Sequence, residues 1–70
     1  MALYDLENWF SYHAPKGDQL ERYAKIRAAA KVFAQVLVDT CPVGPDLSAA
    51  IRKVREATMT ANASIATQEL

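Results

Sequence analysis

Every glycine and proline in this chain falls in one of two short clusters, AlaProLysGly at 14–17 and CysProValGlyPro at 41–45. These residues interrupt helices most strongly. The rest of the sequence is therefore left in one short stretch and two long ones without a breaker. The pattern inside the long stretches is helical. Leu20, Tyr23, Ile26, Ala30, Phe33 and Leu37 recur every three or four residues, with Val32 and Val36 as a flanking stripe. Leu47, Ile51, Val54, Thr58, Ala61 and Ile65 step by four and three, a heptad-like seam with small residues in its distal half. The link between the two is short, which predicts antiparallel neighbours.

The expected fold is all-α, a single antiparallel helical hairpin over 1–70. It comprises an N-terminal segment 1–17, a helix over about 19–39, a turn at 41–45, a helix over about 46–66 and a frayed tail at 67–70. Leu3, Leu6 and Phe10 fit a short helix within 3–10, or that segment is extended. Asp18, with Glu21 three positions on, reads as a capping-box variant, and Asp46 as the cap of the second long helix. Trp9, Phe10 and Tyr12 crowd three aromatics into four positions and read first as core or interface.

Two helices of this length cover one face apiece. A single core is rarely sufficient below roughly 70–80 residues, and chains of that size lean on disulfides, metals or oligomers. One cysteine excludes an internal disulfide, and Cys41 with His13 are too few soft ligands for a structural zinc site. Self-association is the expected stabiliser. No run of about 18 apolar residues is present, so no membrane span is expected. The lone cysteine and the lack of a secretory pattern fit a reducing cytoplasm.

Catalysis has little support. His13 has no partnered nucleophile or acid, Cys41 has no neighbour that would activate a thiolate, and no phosphate loop, metal spacing or carboxylate pair occurs. No catalytic residue, metal or cofactor is expected. Binding has more support. The net charge is zero, which argues against coating long nucleic acid, but the charges are segregated. Arg22, Lys25, Arg27 and Lys31 form one positive run, and Arg52, Lys53 and Arg55 another. Arg52, Arg55, Met59 and Asn62 share a helix face. Arginine forks phosphate, and an asparagine amide pairs with a base edge or a ribose hydroxyl. Tyr12, folded back over the turn, would stack on a base while Arg27 meets a phosphate, and stacking contributes roughly 1–3 kcal/mol per base. The candidate ligand-binding set is Tyr12, Arg27, Arg52, Arg22, Asn62 and Met59.

The pattern YHxPxxxQxxRYxxIRxxA appears here at 12–30, and MetThrAlaAsnAlaSerIleAla at 59–66 is close to MxANAAIA. Together these resemble the helical-hairpin family of bacteriophage immune-evasion sponges, over about residues 9–66. The resemblance implies a hairpin that assembles into a hexamer and binds cyclic signalling nucleotides without cleaving them. Host CBASS or Thoeris effectors are thereby denied their activator, in the cytoplasm of the infected bacterium. It implies ligands of cyclic dinucleotide, cyclic trinucleotide or cyclic ADP-ribose type, with self as the other partner and no membrane or long nucleic acid. The positions that match the family's ligand tyrosine and basic residue are Tyr12 and Arg27, and Arg52 is nearest to its second, trinucleotide site. Ala14, Thr60 and Ser64 depart from the family pattern. The competing readings are a structural or protein-interaction hairpin with no nucleotide ligand and a small DNA-binding regulator. The short turn and zero net charge weigh against the second.

Overall fold

A computed structural model describes residues 3–69. The first two residues of the expected N-terminal segment, and Leu70 of the expected tail, lie outside the described residues. The described chain is all-helical with no strand: α1 (Leu6–Trp9), α2 (Gln19–Thr40) and α3 (Pro45–Gln68). Helices α2 and α3 form an antiparallel hairpin, and α1 packs back on α3.

The short helix begins because the Asp5 carboxylate accepts from the Asn8 backbone N–H at 3.3 Å. Tyr4 and Trp9 then meet edge to face, with ring centroids 6.0 Å apart. Gly17 supplies the left-handed residue of the following turn, at φ 58°, a conformation open to glycine at little cost.

The expected capping box does not form. Asp18 makes no side-chain cap bond, because its carboxylate turns to Arg22 at 3.4 Å. Gln19 does the local work instead. Its N–H donates to the Lys16 carbonyl and its Oε1 accepts from the Lys16 N–H, both at 3.1 Å. At the other turn Gly44, not Asp46, is the cap residue, and Pro45 opens α3 at a position where its missing N–H costs nothing. The C-terminal end also differs from the frayed tail expected at 67–70: α3 continues through Gln68, and Thr67 and Glu69 both take part in tertiary hydrogen bonds.

The seam on α3 is the expected one, with Leu47, Ile51, Val54, Thr58 and Ala61 half-buried and Ile65 buried. On α2 the seam is Tyr23, Ile26, Ala30, Ala34 and Leu37. Ala34 takes the place expected of Phe33, while Leu20 and Phe33 are exposed. The small side chain lets α3 approach, and the phenyl ring is displaced to the flank.

The molecule is one layer of helices. Its principal extents are 45 × 28 × 16 Å, and a helix with its side chains is already about 10–12 Å across. The Cα radius of gyration is 15.1 Å, against about 11 Å expected for a compact domain of this length. Ile65 is the one buried hydrophobic side chain among the described residues. Leu3, Leu6, Phe10, Val32, Phe33 and Val36 all face solvent.

Candidate functional site

At the end of the hairpin away from the 41–44 loop, three segments are tied together by polar groups. The Asn8 Nδ2 donates to the Thr67 carbonyl at 2.9 Å. The Asn8 carbonyl in turn lies 2.7 Å from His13 Nε2. Gln19, 5 % exposed, donates through Nε2 to Glu69 Oε1 at 3.2 Å. Arg22 forks the same carboxylate, Nη1 to Oε1 at 2.8 Å and Nη2 to Oε2 at 2.6 Å. This bidentate geometry is the strongest that arginine and a carboxylate make. The hydrogen bond from Arg22, followed by that from Gln19, lowers the Glu69 pKa to about 2. The hydrogen bond to Glu69 likewise raises the pKa of the Arg22 guanidinium. Both side chains remain about two-fifths exposed, so water screens much of the attraction.

This clasp frames a hollow of about 450 Å³. His13 enters from the turn, Leu20, Tyr23 and Arg27 from α2, and Asn62, Ala63 and Ala66 from α3. Helical spacing explains the set: Leu20, Tyr23 and Arg27 are successive turns of one face, and Asn62 and Ala66 likewise on α3. Among the described residues no carboxylate lines the hollow. The alanines keep the α3 wall low, which leaves room for an occupant. Asn62, which lines it, has its Oδ1 buried without a hydrogen-bond partner, a state that costs about 1–3 kcal/mol. The site therefore offers a permanent cation, a phenol, an imidazole and an unsatisfied amide, and no nucleophile with a partnered base. It is equipped to hold an anion bearing polar edges.

The sequence-derived candidates separate in space. Arg27 and Asn62 come together in this hollow. Arg22 is adjacent but spends its guanidinium on Glu69 and Asp18. Tyr12 does not fold back over Arg27 as expected, for it is 87 % exposed and lies outside the hollow's lining. Met59 lines a second hollow of about 310 Å³, with Lys31 and Arg55. Arg52 is exposed and lines neither. His13 and Tyr23 were not singled out as ligand residues by the sequence. Their placement depends on the Asn8 carbonyl and on the seam, and the one available signal was their presence in the YHxPxxxQxxRY pattern. A third depression, an open apolar groove of about 690 Å³, runs along the hairpin past Ile26, Phe33, Leu37, Val54 and Ala57.

Set against known proteins, the chain matches the model of the Acb2/Tad1 hairpin domain over residues 4–66. No curated protein and no solved structure matches it.

Proposed function

The chain belongs to the Acb2/Tad1 hairpin family, the phage cyclic-nucleotide sponges that oppose CBASS and Thoeris defences, and on that premise we propose that it sequesters a cyclic di- or trinucleotide, or a cyclic ADP-ribose isomer, without cleaving it. The observation that carries this reading is the convergence of Arg27, His13, Tyr23 and Asn62 on one hollow that no carboxylate of the described residues lines. Arg27 would meet a phosphodiester, Tyr23 would lie against a base or ribose, and the Asn62 amide would be satisfied by a polar edge of the ligand. The family's members are sponges, so binding would end in retention. The protein would act in the cytoplasm of the infected host, holding the signal away from its effector.

A homo-oligomer, a hexamer by the family's habit, is part of the proposal. The layer is 16 Å thin and its apolar groove is open, so further copies would cover surface that water now meets. In such an assembly the exposed Tyr12 of one protomer would stack on a ligand held by another, and Arg52, Arg55 and Met59 would contribute to a separate site. Binding and assembly would then be linked, because the ligand would favour the assembled form.

Native mass spectrometry with a panel of cyclic di-AMP, cyclic GMP–AMP, cyclic tri-AMP and cyclic ADP-ribose isomers tests this. The expected result is an oligomer that retains intact ligand at fixed stoichiometry. Arg27→Ala should weaken retention by about 10- to 100-fold, the worth of a charge-assisted hydrogen bond, and leave the oligomer in place. Unchanged affinity in that variant would reject the site. An oligomer that retains no member of the panel would make the chain a structural hairpin.

A further inference from the structure

His13 is anchored from behind. A carbonyl oxygen only accepts, so the 2.7 Å contact with the Asn8 carbonyl puts the hydrogen on Nε2. Asn8 is itself fixed on both sides, by its Nδ2 bond to the Thr67 carbonyl and by the Asp5 carboxylate at its backbone N–H. The half-buried ring is thus oriented through α1 by the end of α3. Nδ1 is the one polar atom it retains for a further partner, and the ring lines the hollow that holds Arg27 and Asn62.

An imidazole is the side chain whose charge changes near neutral pH. Neutral, with Nε2 bearing the hydrogen, its Nδ1 is an acceptor; protonated, Nδ1 is a charged donor. The groups around the ring decide which form suits an occupant. From α2 these are Arg27 and the Tyr23 hydroxyl. From α3 they are Asn62, Ala63 and Ala66, none charged. On the α1 side Asp5 is taken by the Asn8 N–H, and the Glu7 carboxylate is exposed. In the turn and at the clasp stand Lys16, Asp18 paired with Arg22, and Glu69 held by Arg22 and Gln19. With no carboxylate of the described residues in the lining, an incoming phosphodiester is the anion the ring would face inside the hollow.

We propose that His13 is a proton-linked ligand contact: the ring takes one proton from solvent as a phosphodiester enters, and Nδ1–H then donates to a phosphate oxygen. The ligand's covalent bonds are untouched, and the ring gains one positive charge. The inference rests on the nucleotide-binding reading of the hollow. It adds that the site's second cation is conditional, present when the ligand is.

The test is isothermal titration calorimetry with the same four-member panel, at about pH 6 and about pH 8, each in two buffers of different ionisation heat. The tightest-binding member should bind several-fold more strongly at the lower pH, about tenfold per pH unit being the ceiling for one linked proton. Its heat should depend on the buffer. Both conditions lie far above the range in which Glu69 titrates, so the clasp is constant. His13→Gln keeps a donor for the Asn8 carbonyl and cannot charge; it should bind equally at both pH values. Equal wild-type affinity and no buffer-dependent heat would overturn the proton link and leave the nucleotide reading standing. Tightening retained in His13→Gln would move the proton elsewhere and remove His13 from the role. No binding of any panel member at either pH would overturn the nucleotide reading, and this inference with it.

Discussion

The two ends of the hairpin are held by different chemistry. At the clasp, Asn8, Gln19, Arg22, Thr67 and Glu69 fix three segments by directional hydrogen bonds across 47 to 59 residues of sequence, with His13 held locally by Asn8. Toward the loop, α2 and α3 rely on a seam of alanines, Leu37, Leu47 and Ile51 that stays half-exposed. Directional bonds hold their geometry without bulk, so the clasp forms a shaped hollow within one chain. The seam has no such directionality, and its strength scales with the area it removes from water. That area is small here: every apolar residue of the seam toward the loop stays half-exposed.

The largest effect should come from striking the seam. Val54→Asp would place a carboxylate between the helices without a cation in the seam, at a cost of about 3–5 kcal/mol, a large part of the stability of any small domain. Loss of the helical circular-dichroism signal at ambient temperature is the expected outcome. A variant that keeps its full melting temperature would show that the seam contributes little, and the contrast between the two ends would collapse.

Asn8→Ala strikes the clasp and should be milder. It removes the bond to the Thr67 carbonyl, worth about 0.5–1.5 kcal/mol, and leaves the hairpin seam untouched. Amide hydrogen exchange should quicken over residues 5–13 and in the last turn of α3, with the middle of α2 unchanged. Uniform acceleration along both long helices would mean that the two ends are one cooperative unit.

Acid should give the smallest effect. Glu69 has its pKa lowered on folding, so its contribution is fully present above the ordinary carboxylate value of 4.5. It is lost as pH falls from there through about 2. A melting temperature that declines slightly over that window in the wild type, and less in Glu69→Gln, would assign the slope to the clasp. Identical slopes would assign it to other carboxylates.

Much of the hairpin was legible in the sequence. The α3 seam was read correctly because Leu47 to Ile65 repeat strictly and the other α3 faces are polar or small. On α2 the reading failed at Leu20, which is exposed at the first turn, and at Phe33, because apolar residues surround that helix: Val32, Phe33, Ala34 and Val36 all compete for the seam. Size decided, and the smallest side chain sits where the helices approach. The capping errors share another cause. Asp18 and Asp46 have the composition of caps, but Asp18 has Arg22 one turn on, and Pro45 fixes the start of α3 one residue before Asp46.

Of the site, Arg27 and Asn62 were legible as chemistry on helix faces. The wall formed by His13 was not, because it depends on a backbone carbonyl of α1, which no residue pattern announces. Gln19 was read as the first residue of a helix. In the structure its amide satisfies both the turn at Lys16 and the carboxylate of Glu69. The Gln and Arg of the QxxRY pattern are therefore explained by closure of the fold, and Tyr23 by the wall of the hollow.

The Asn8–Thr67 hydrogen bond spans 59 residues, and that span sets an order of events during synthesis. A ribosome releases Tyr23 and Arg27 while α3 is still unmade. The backbone hydrogen bonds of α2 are local and precede the contacts with α3. Asn62, Ala66 and the distant partners of Asn8 and Arg22, Thr67 and Glu69, emerge together, after the residues of the turn and of α2. Contacts between distant residues close late and slowly. The binding surface thus comes after the arginine that serves it, and a chain still attached to the ribosome near Asn62 would carry the arginine without the pocket.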